Sequence, residues 1–349
     1  MMSFRDPNIL CSSLPINIVR LISSIDEYRG KQQLYIRQSP QALKTLQQVA
    51  MVQSTESSNR IEGITVPTGK IQEIMADKVQ PSNRSEGEVA GYRDILAIIH
   101  SSYEGIRVTP NVILQLHRDL YSYIPSEGGI WKPFDNTIDD VQPDGTHTVR
   151  FRPVSAIDTP GAMDELCRCL DRTLESEECI PLLAIAAFIL DFLCIHPFRD
   201  GNGRMSRLLS LLLLYRSGYE VGRYISLERI VEQTKETYYE SLAISGDRWH
   251  EGRHNILPWC EYFLGFVLSA YREFESRVGM IATERGSKSR LIRSTVLHLL
   301  GDFSVSDIMQ KCPSVSKDLV RSVLDTMKQD GDVICLGTGR SARWRRIER

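Results

Sequence analysis

Residues 196–207 read HPFRDGNGRMSR, and no other stretch of the chain packs as many chemically useful side chains so closely. His196 has an ordinary pKa near 6.5, the property a general base for a hydroxyl nucleophile needs. Asp200 is a hard oxygen ligand, suited to a Mg²⁺ held by one carboxylate together with phosphates. Gly201 and Gly203 let the backbone take unusual dihedrals and approach a ligand closely. Arg204 and Arg207 fall in the first turns of the helix that follows. Cations are unfavourable near a helix N-terminus unless an anion sits there, so both are expected to point at one phosphate chain. The free N–H groups of that helix start would add an anion hole. No G-x-x-x-x-G-K-[ST] occurs, and no G-x-G-x-x-G follows a strand, so this is not the phosphate loop of a kinase or GTPase.

These residues need two buried helices to hold them. The apolar run 182–194 predicts the first, stopping at His196–Pro197, and 204–215 predicts the second. Apolar residues recur at three and four positions over 41–53, 88–99, 110–120, 160–174, 226–244 and 256–277 as well, so the protein should be mostly helical. The first hundred residues fit two helices with a break near Gly63–Pro67. No repeat of 20–50 residues is present.

HPFRDGNGRMSR resembles the signature of Fic-domain proteins, H-x-F-x-[DE]-G-N-G-R-x-x-R, at every specified position. The resemblance covers most of 35–245 and implies an all-α core with a small β-hairpin flap. It implies nucleotidyl transfer, most often of AMP from ATP to a Ser, Thr or Tyr hydroxyl of a protein, with Mg²⁺ as cofactor. His196 would be the base, Phe198 the core anchor and Asp200 the Mg²⁺ ligand. Gly201, Asn202 and Gly203 would hold the α- and β-phosphates, Arg204 and Arg207 the β/γ end, with Met205 and Ser206 in the same stretch. Gly203 argues against the relatives that act as kinases, which carry lysine there. The flap falls within 129–152, where GGIWKPFDNTI and THTVRFRPVSA flank DDVQPDG.

Ser58-Asn59-Arg60-Ile61-Glu62-Gly63 resembles the family's inhibitory pattern, [ST]-x-x-x-E-[GN]. On that resemblance a helix around 45–62 is inhibitory. Glu62 would pair with Arg207 and compete with the γ-phosphate. In some relatives the same glutamate positions a water that removes AMP, so addition and removal both stand open. The resemblance also places Tyr238 and Tyr239 near the adenine, while ordinary core tyrosines fit the pattern equally. Asp191, five residues before His196, either orients the histidine or satisfies a backbone group.

The balance of 42 Lys+Arg against 44 Asp+Glu, a net charge of -2, excludes a uniformly basic nucleic-acid coat. At 42% hydrophobic and 25% charged, the chain can build a sizeable core. No signal peptide or membrane-spanning run is legible, and eight scattered cysteines form no zinc box, so free thiols in a reducing cytoplasm are expected. Residues 285–349 depart from the average, with 13 Lys/Arg against 7 Asp/Glu. Their pattern of helix, short helix, longer helix and two short strands around a Gly-rich turn describes a winged helix-turn-helix. Lys317, Arg321, Arg340, Arg343, Arg345 and Arg346 would be its basic face. DNA phosphates, a docking protein or a dimer contact suit that face equally. The expected domains are therefore 1–100, an N-terminal helical region; 101–245, the catalytic core; 246–284, a helical extension and linker; and 285–349, the winged helix. The partner implied is a protein with a hydroxyl side chain, the chain itself included. Homodimers are common in the family, and composition neither supports nor denies one.

Overall fold

The computed structural model of the chain describes residues 2–4, 14–38, 40–76, 79–125, 128–141, 147–176, 179–283, 289, 292–293, 295–296, 302–312, 315–337 and 342–347. The chain divides into two compact units, Met1–Ser276 and Arg277–Arg349. Of the sequence expectations, Arg340 lies outside the described residues.

The first unit is helical, with one small sheet at its surface. Helices α1 (Ile16–Gln38) and α2 (Pro40–Ile61) lead into α3 (Thr68–Met75), α4 (Arg84–Ser102) and α5 (Pro110–Leu120). The starts of α4 and α5 follow local chemistry. Asn83 accepts the Glu86 N–H, and Thr109 accepts the Val112 N–H ahead of Pro110. A hairpin follows, β1 (Ile138–Val141) antiparallel to β2 (His147–Phe151), with a register irregularity between Ile138 and Asp139. Then come α6 (Thr159–Glu175), α7 (Pro181–Ile195), α8 (Asn202–Arg216), α9 (Leu227–Gln233), α10 (Lys235–Gly246) and α11 (Leu257–Thr283).

Helices α7 and α8 form the centre. Only Pro181 and Leu193 of α7 escape full burial. A helix apolar on all sides must be wrapped by others, and each buried Leu, Ile or Phe contributes roughly 1.5–3 kcal/mol. Helix α8 starts at Asn202, two residues before its expected start, because Gly201 takes positive φ and serves as its N-cap. The expected continuous helix over 226–244 is instead two. Thr234 breaks it with φ -117 and ψ 32, its hydroxyl bonding to the Ile230 carbonyl and to the Tyr262 hydroxyl.

The second unit has its own core, including Ile292, Phe303, Ile308, Val320, Leu324, Val333 and Trp344. Its described elements are β3 (Asp302–Phe303), α12 (Val305–Lys311), α13 (Lys317–Gln329), β4 (Val333–Leu336) and β5 (Arg343–Arg346). Ser304 and Asp307 make a capping box on α12. The wing has three strands in the order β3-β5-β4, one more than expected. Its basic face is also less free than composition implied. Arg345 pairs with Asp302 at 2.6 Å, and Arg321 lies 3.9 Å from Asp318.

Candidate active site

A cleft of about 800 Å³ opens where α7 ends and α8 begins. Its walls bring together Glu62 from beyond α2, Ile138 and Arg150 from the hairpin, His196 to Gly203 along the loop, Arg207 from α8, and Tyr238 and Tyr239 from α10. That volume lies within the range of small-molecule sites.

His196 occupies the left-handed region, φ 49 and ψ 61, as the C-cap of α7. A β-carbon in that conformation costs roughly 1–2 kcal/mol, so the surroundings must hold it there. Its Nδ1 lies 3.3 Å from the Leu193 carbonyl. With Nδ1–H donating to that oxygen, Nε2 is left as an acceptor. Burial lowers the pKa of His196 to about 4, and the nearby Lys132 charge adds to the effect. The expected value near 6.5 is therefore corrected: the imidazole is neutral throughout the physiological range.

The loop after His196 is fastened from several sides. The Asn202 side chain brackets Phe198, accepting its N–H at 2.9 Å and donating to its carbonyl at 2.8 Å. Phe198 is fully buried and stacks on His117, ring centroids 3.6 Å apart. His117 accepts the Gly129 N–H on Nδ1, so its Nε2–H donates to the Asp200 carbonyl at 3.0 Å. A Cβ at Gly201 would lie 2.9 Å from the Tyr121 hydroxyl, and φ is +81 there, so this glycine is required twice over. The Asp200 carboxylate is half exposed. One oxygen accepts the Gly201 N–H at 2.6 Å, and the other takes Arg84 at 3.0 Å. Among the described residues no three His, Cys, Asp or Glu gather as a metal site. A single hard carboxylate at a cleft wall fits a Mg²⁺ that takes its other ligands from phosphates and water.

The two arginines diverge, contrary to expectation. Arg204 is 1% exposed and does not line the cleft. It pairs with the buried Glu88 at 2.8 Å and donates to the Tyr121 hydroxyl at 2.8 Å. Charge inside the fold demands a partner, and Glu88 supplies it. Met205 is fully buried, and the Ser206 hydroxyl turns back to the Gly203 carbonyl at 2.8 Å, so neither side chain lines the cleft.

Arg207 meets the expected partners. Its Nε donates to Ser58 Oγ at 2.9 Å, and its Nη2 donates to the Ser58 carbonyl at 2.9 Å and to Glu62 Oε1 at 2.7 Å. Burial is the largest influence on Arg207 and works against its charge, but the Glu62 carboxylate, Tyr238 and Tyr92 together hold the guanidinium above its ordinary range. Glu62 stands in the turn that ends α2, where Gly63 takes φ +80. It lies close to the loop as well: a Cβ at Gly203 would meet Glu62 Oε1 at 2.2 Å.

Tyr238 is buried against Trp259 and Tyr262, and Tyr239 lies edge-on to it at 5.1 Å. Both line the cleft, so core and wall roles coincide. Asp191 does not orient His196. It accepts Ser3 Oγ and Trp249 Nε1, each at 2.6 Å, and the Ser3 backbone N–H at 3.2 Å, so it satisfies a backbone group, the other alternative. The hairpin forms one wall through Ile138, Asp139, Arg150 and Phe151, as the flap reading expected. His117, Lys132, Glu88 and Tyr121 were missed as supports. Each is a lone residue in sequence, and only GGIWKPFDN, flanking the hairpin, carried a faint signal.

The Fic/DOC family profile matches residues 107–214. The chain carries a Fic/DOC-family domain. A second profile, the C-terminal domain of DIP2311-like transcriptional regulators, matches residues 289–347. The protein adenylyltransferase Fic of Drosophila melanogaster is 29% identical over 238 residues, 65% of this chain and 44% of that protein. Its Drosophila persimilis counterpart is 28% identical over 236 residues, 65% of this chain and 42% of that one. The chain thus spans less than half the length of these curated relatives. Among solved structures, a Fic family protein from Desulfovibrio desulfuricans G20 aligns with TM-score 0.66 and 22% identity, over 97% of this chain and 98% of that one. A Fic-domain signaling protein from Bacteroides thetaiotaomicron aligns with TM-score 0.60 and 21% identity, over 75% and 97%. Those two likenesses establish the Fic fold. The family is broadly linked to nucleotidyl transfer.

Proposed function

We propose that this Fic protein is an autoinhibited protein adenylyltransferase, transferring AMP from Mg-ATP to a Ser, Thr or Tyr hydroxyl of a protein. The acceptor oxygen attacks the α-phosphorus and a new O–P bond forms. The bond from the α-phosphorus to the bridging oxygen breaks, and pyrophosphate leaves. His196 Nε2 takes the hydroxyl proton, for which a neutral imidazole is the required form. The N–H groups at the start of α8, beside Gly201 and Gly203, face the negative phosphates. Mg²⁺ at Asp200 would neutralise phosphate charge.

The observation that carries this reading is Glu62 on Arg207 at 2.7 Å, in the same cleft as His196. A carboxylate there excludes a γ-phosphate from the guanidinium, so the ground state is inhibited. Removal of AMP from a modified protein is a second reading. It rests on the Glu62 side chain, which is 30% exposed and faces the cleft, where it can hold a water.

Intact mass after incubation with Mg-ATP tests the first reading, for wild type, Glu62→Gly and Glu62→Gly/His196→Ala. A gain of about 329 Da, one AMP group, is expected in the single variant alone. Labelled ATP with cell extract extends the test to other acceptors. No transfer by Glu62→Gly to itself or to any extract protein overturns the reading.

A further inference from the structure

We propose that Lys132 is a positioning residue for His196, fixing the turn that presents the imidazole to the cleft. The inference rests on the transferase reading above. Lys132 is 3% exposed, an unusual place for an ammonium group without a carboxylate at bonding distance. Its Nζ donates to the Ile195 carbonyl at 3.0 Å and to Asn136 Oδ1 at 2.8 Å. Ile195 is the last residue of α7, and its carbonyl is among the acceptors a helix end leaves open. Lys132 therefore caps the helix that His196 terminates, and a cation suits that negative helix end.

The contact does not act alone. The Lys132 backbone N–H donates to the Pro197 carbonyl at 2.8 Å. Asn136 Nδ2 donates to the Phe198 carbonyl at 3.2 Å. The segment 132–136 thus binds carbonyls on both sides of His196. Held this way, the residue keeps its left-handed backbone with no glycine to ease it.

The ammonium also acts on the ring through space. The groups facing His196 are the Leu193 carbonyl from α7, Lys132 from the segment before β1, Glu62 from the end of α2, and Asp200 from the loop. Burial favours the neutral ring most. Lys132 favours it too, while the Leu193 bond and the two carboxylates oppose. Removing the Lys132 charge leaves Glu62 and Asp200 less balanced, so the ring should protonate at higher pH. The phosphate cradle has its own fastenings in Asn202 and His117, so nucleotide binding should be spared.

Lys132→Met, of similar length, is the test in the Glu62→Gly chain. The expected result is a fall in kcat of at least about tenfold, with the KM for ATP within about twofold. Unchanged kcat, or kcat and KM lost together, overturns the inference. A second readout needs no activity. Carbon-13 histidine signals of full-length wild type should show His196 titrating near 4, and in Lys132→Met closer to the ordinary 6.5. An unmoved His196 midpoint also overturns it. Should Lys132→Met not fold, Lys132→Gln carries the same two readings. Failure of the transferase reading is separate: it appears as no transfer by Glu62→Gly itself, and the ring signal then decides the role of Lys132.

Discussion

The end of α2, proposed above to be inhibitory, is tied down by more than Glu62, and one of the ties, at Glu232, does not line the cleft. Arg60 makes a two-pronged pair with Glu232, its Nε and Nη2 at 2.7 and 3.0 Å from the two carboxylate oxygens. Arg60 and Glu232 are 41% and 25% exposed, so water screens the pair in part. Lys235 Nζ adds a bond to the Ile61 carbonyl at 2.8 Å. Burial acts most strongly and would raise the Glu232 pKa, but the bonds from Arg60 and Ser57 and the charges of Arg60 and Lys235 together lower it, so the carboxylate is held ionised. A half-exposed pair of this kind contributes about 0.5–1 kcal/mol. Glu232→Gln should therefore populate the released helix about two- to fivefold more, with an equal gain in the initial rate of AMP incorporation. Glu62→Gly, which removes the competitor outright, should give about tenfold or more. The informative variant is Glu232→Gln in the Glu62→Gly chain, where no carboxylate remains on Arg207 to compete with a phosphate. Labelled-ATP incorporation should be unchanged there. An equal gain in both backgrounds would refute the reasoning, because Glu232 would then act on the cleft and not through the helix.

Gly203→Ala brings a methyl group against Glu62 Oε1, the end of a flexible side chain, which must swing aside and give up part of its pair with Arg207, a loss of about 1 kcal/mol. Denaturant unfolding should show that loss in the wild-type chain and little of it in Glu62→Gly; equal losses would mean that the crowding lies elsewhere. His100, His117 and His196 each keep a neutral ring down to about pH 4, burial being the first cause for all three. The unfolded chain binds their protons near 6.5, so stability is full above that value and is lost as pH falls toward 4, by up to about 3 kcal/mol for each ring. Replacing His117 by Phe should flatten the fall in unfolding free energy between pH 6.5 and 4.5, and an unchanged slope counts against a neutral His117.

Sequence carried the loop because its chemistry is local. Gly201 takes positive φ, Asn202 closes on Phe198 four residues back, and Phe198 enters the core, all within seven residues. Glu62 was legible for a different reason, a short pattern before Gly63 whose partner is Arg207. Arg204 misled because sequence could not reveal Glu88, 116 residues away, as its counter-charge. From the sequence, two arginines three apart on one helix face were expected to converge. In the fold, one turns inward to a buried acid. The break at Thr234 was hidden by an apolar rhythm that continues through it, and it depends on a hydroxyl in α11. Lys132 and His117 act on loop carbonyls, and a carbonyl leaves no trace in residue type.

On the reading proposed above, the face that α2 turns inward explains how inhibition is released. Ser54, Thr55, Ser57, Ser58 and Asn59 are all nearly fully buried along its last turns. A helix meant to stay docked would bury leucines there, since hydroxyls return little when they leave water. Thr55 Oγ1 and Asn59 Oδ1 have no protein partner among the described residues, which weakens the docking further. The helix end is therefore held by the buried Ile61 together with ionic and polar contacts at Arg207, Glu232 and Lys235. Two of those cations, Arg207 and Lys235, line the cleft. A nucleotide that recruits either one loosens the helix, and linkage requires the docked helix to weaken nucleotide binding by the same factor. Inhibition through a shared cation is thus graded by nucleotide concentration, whereas an apolar plug in the same place would have to unfold before it could yield.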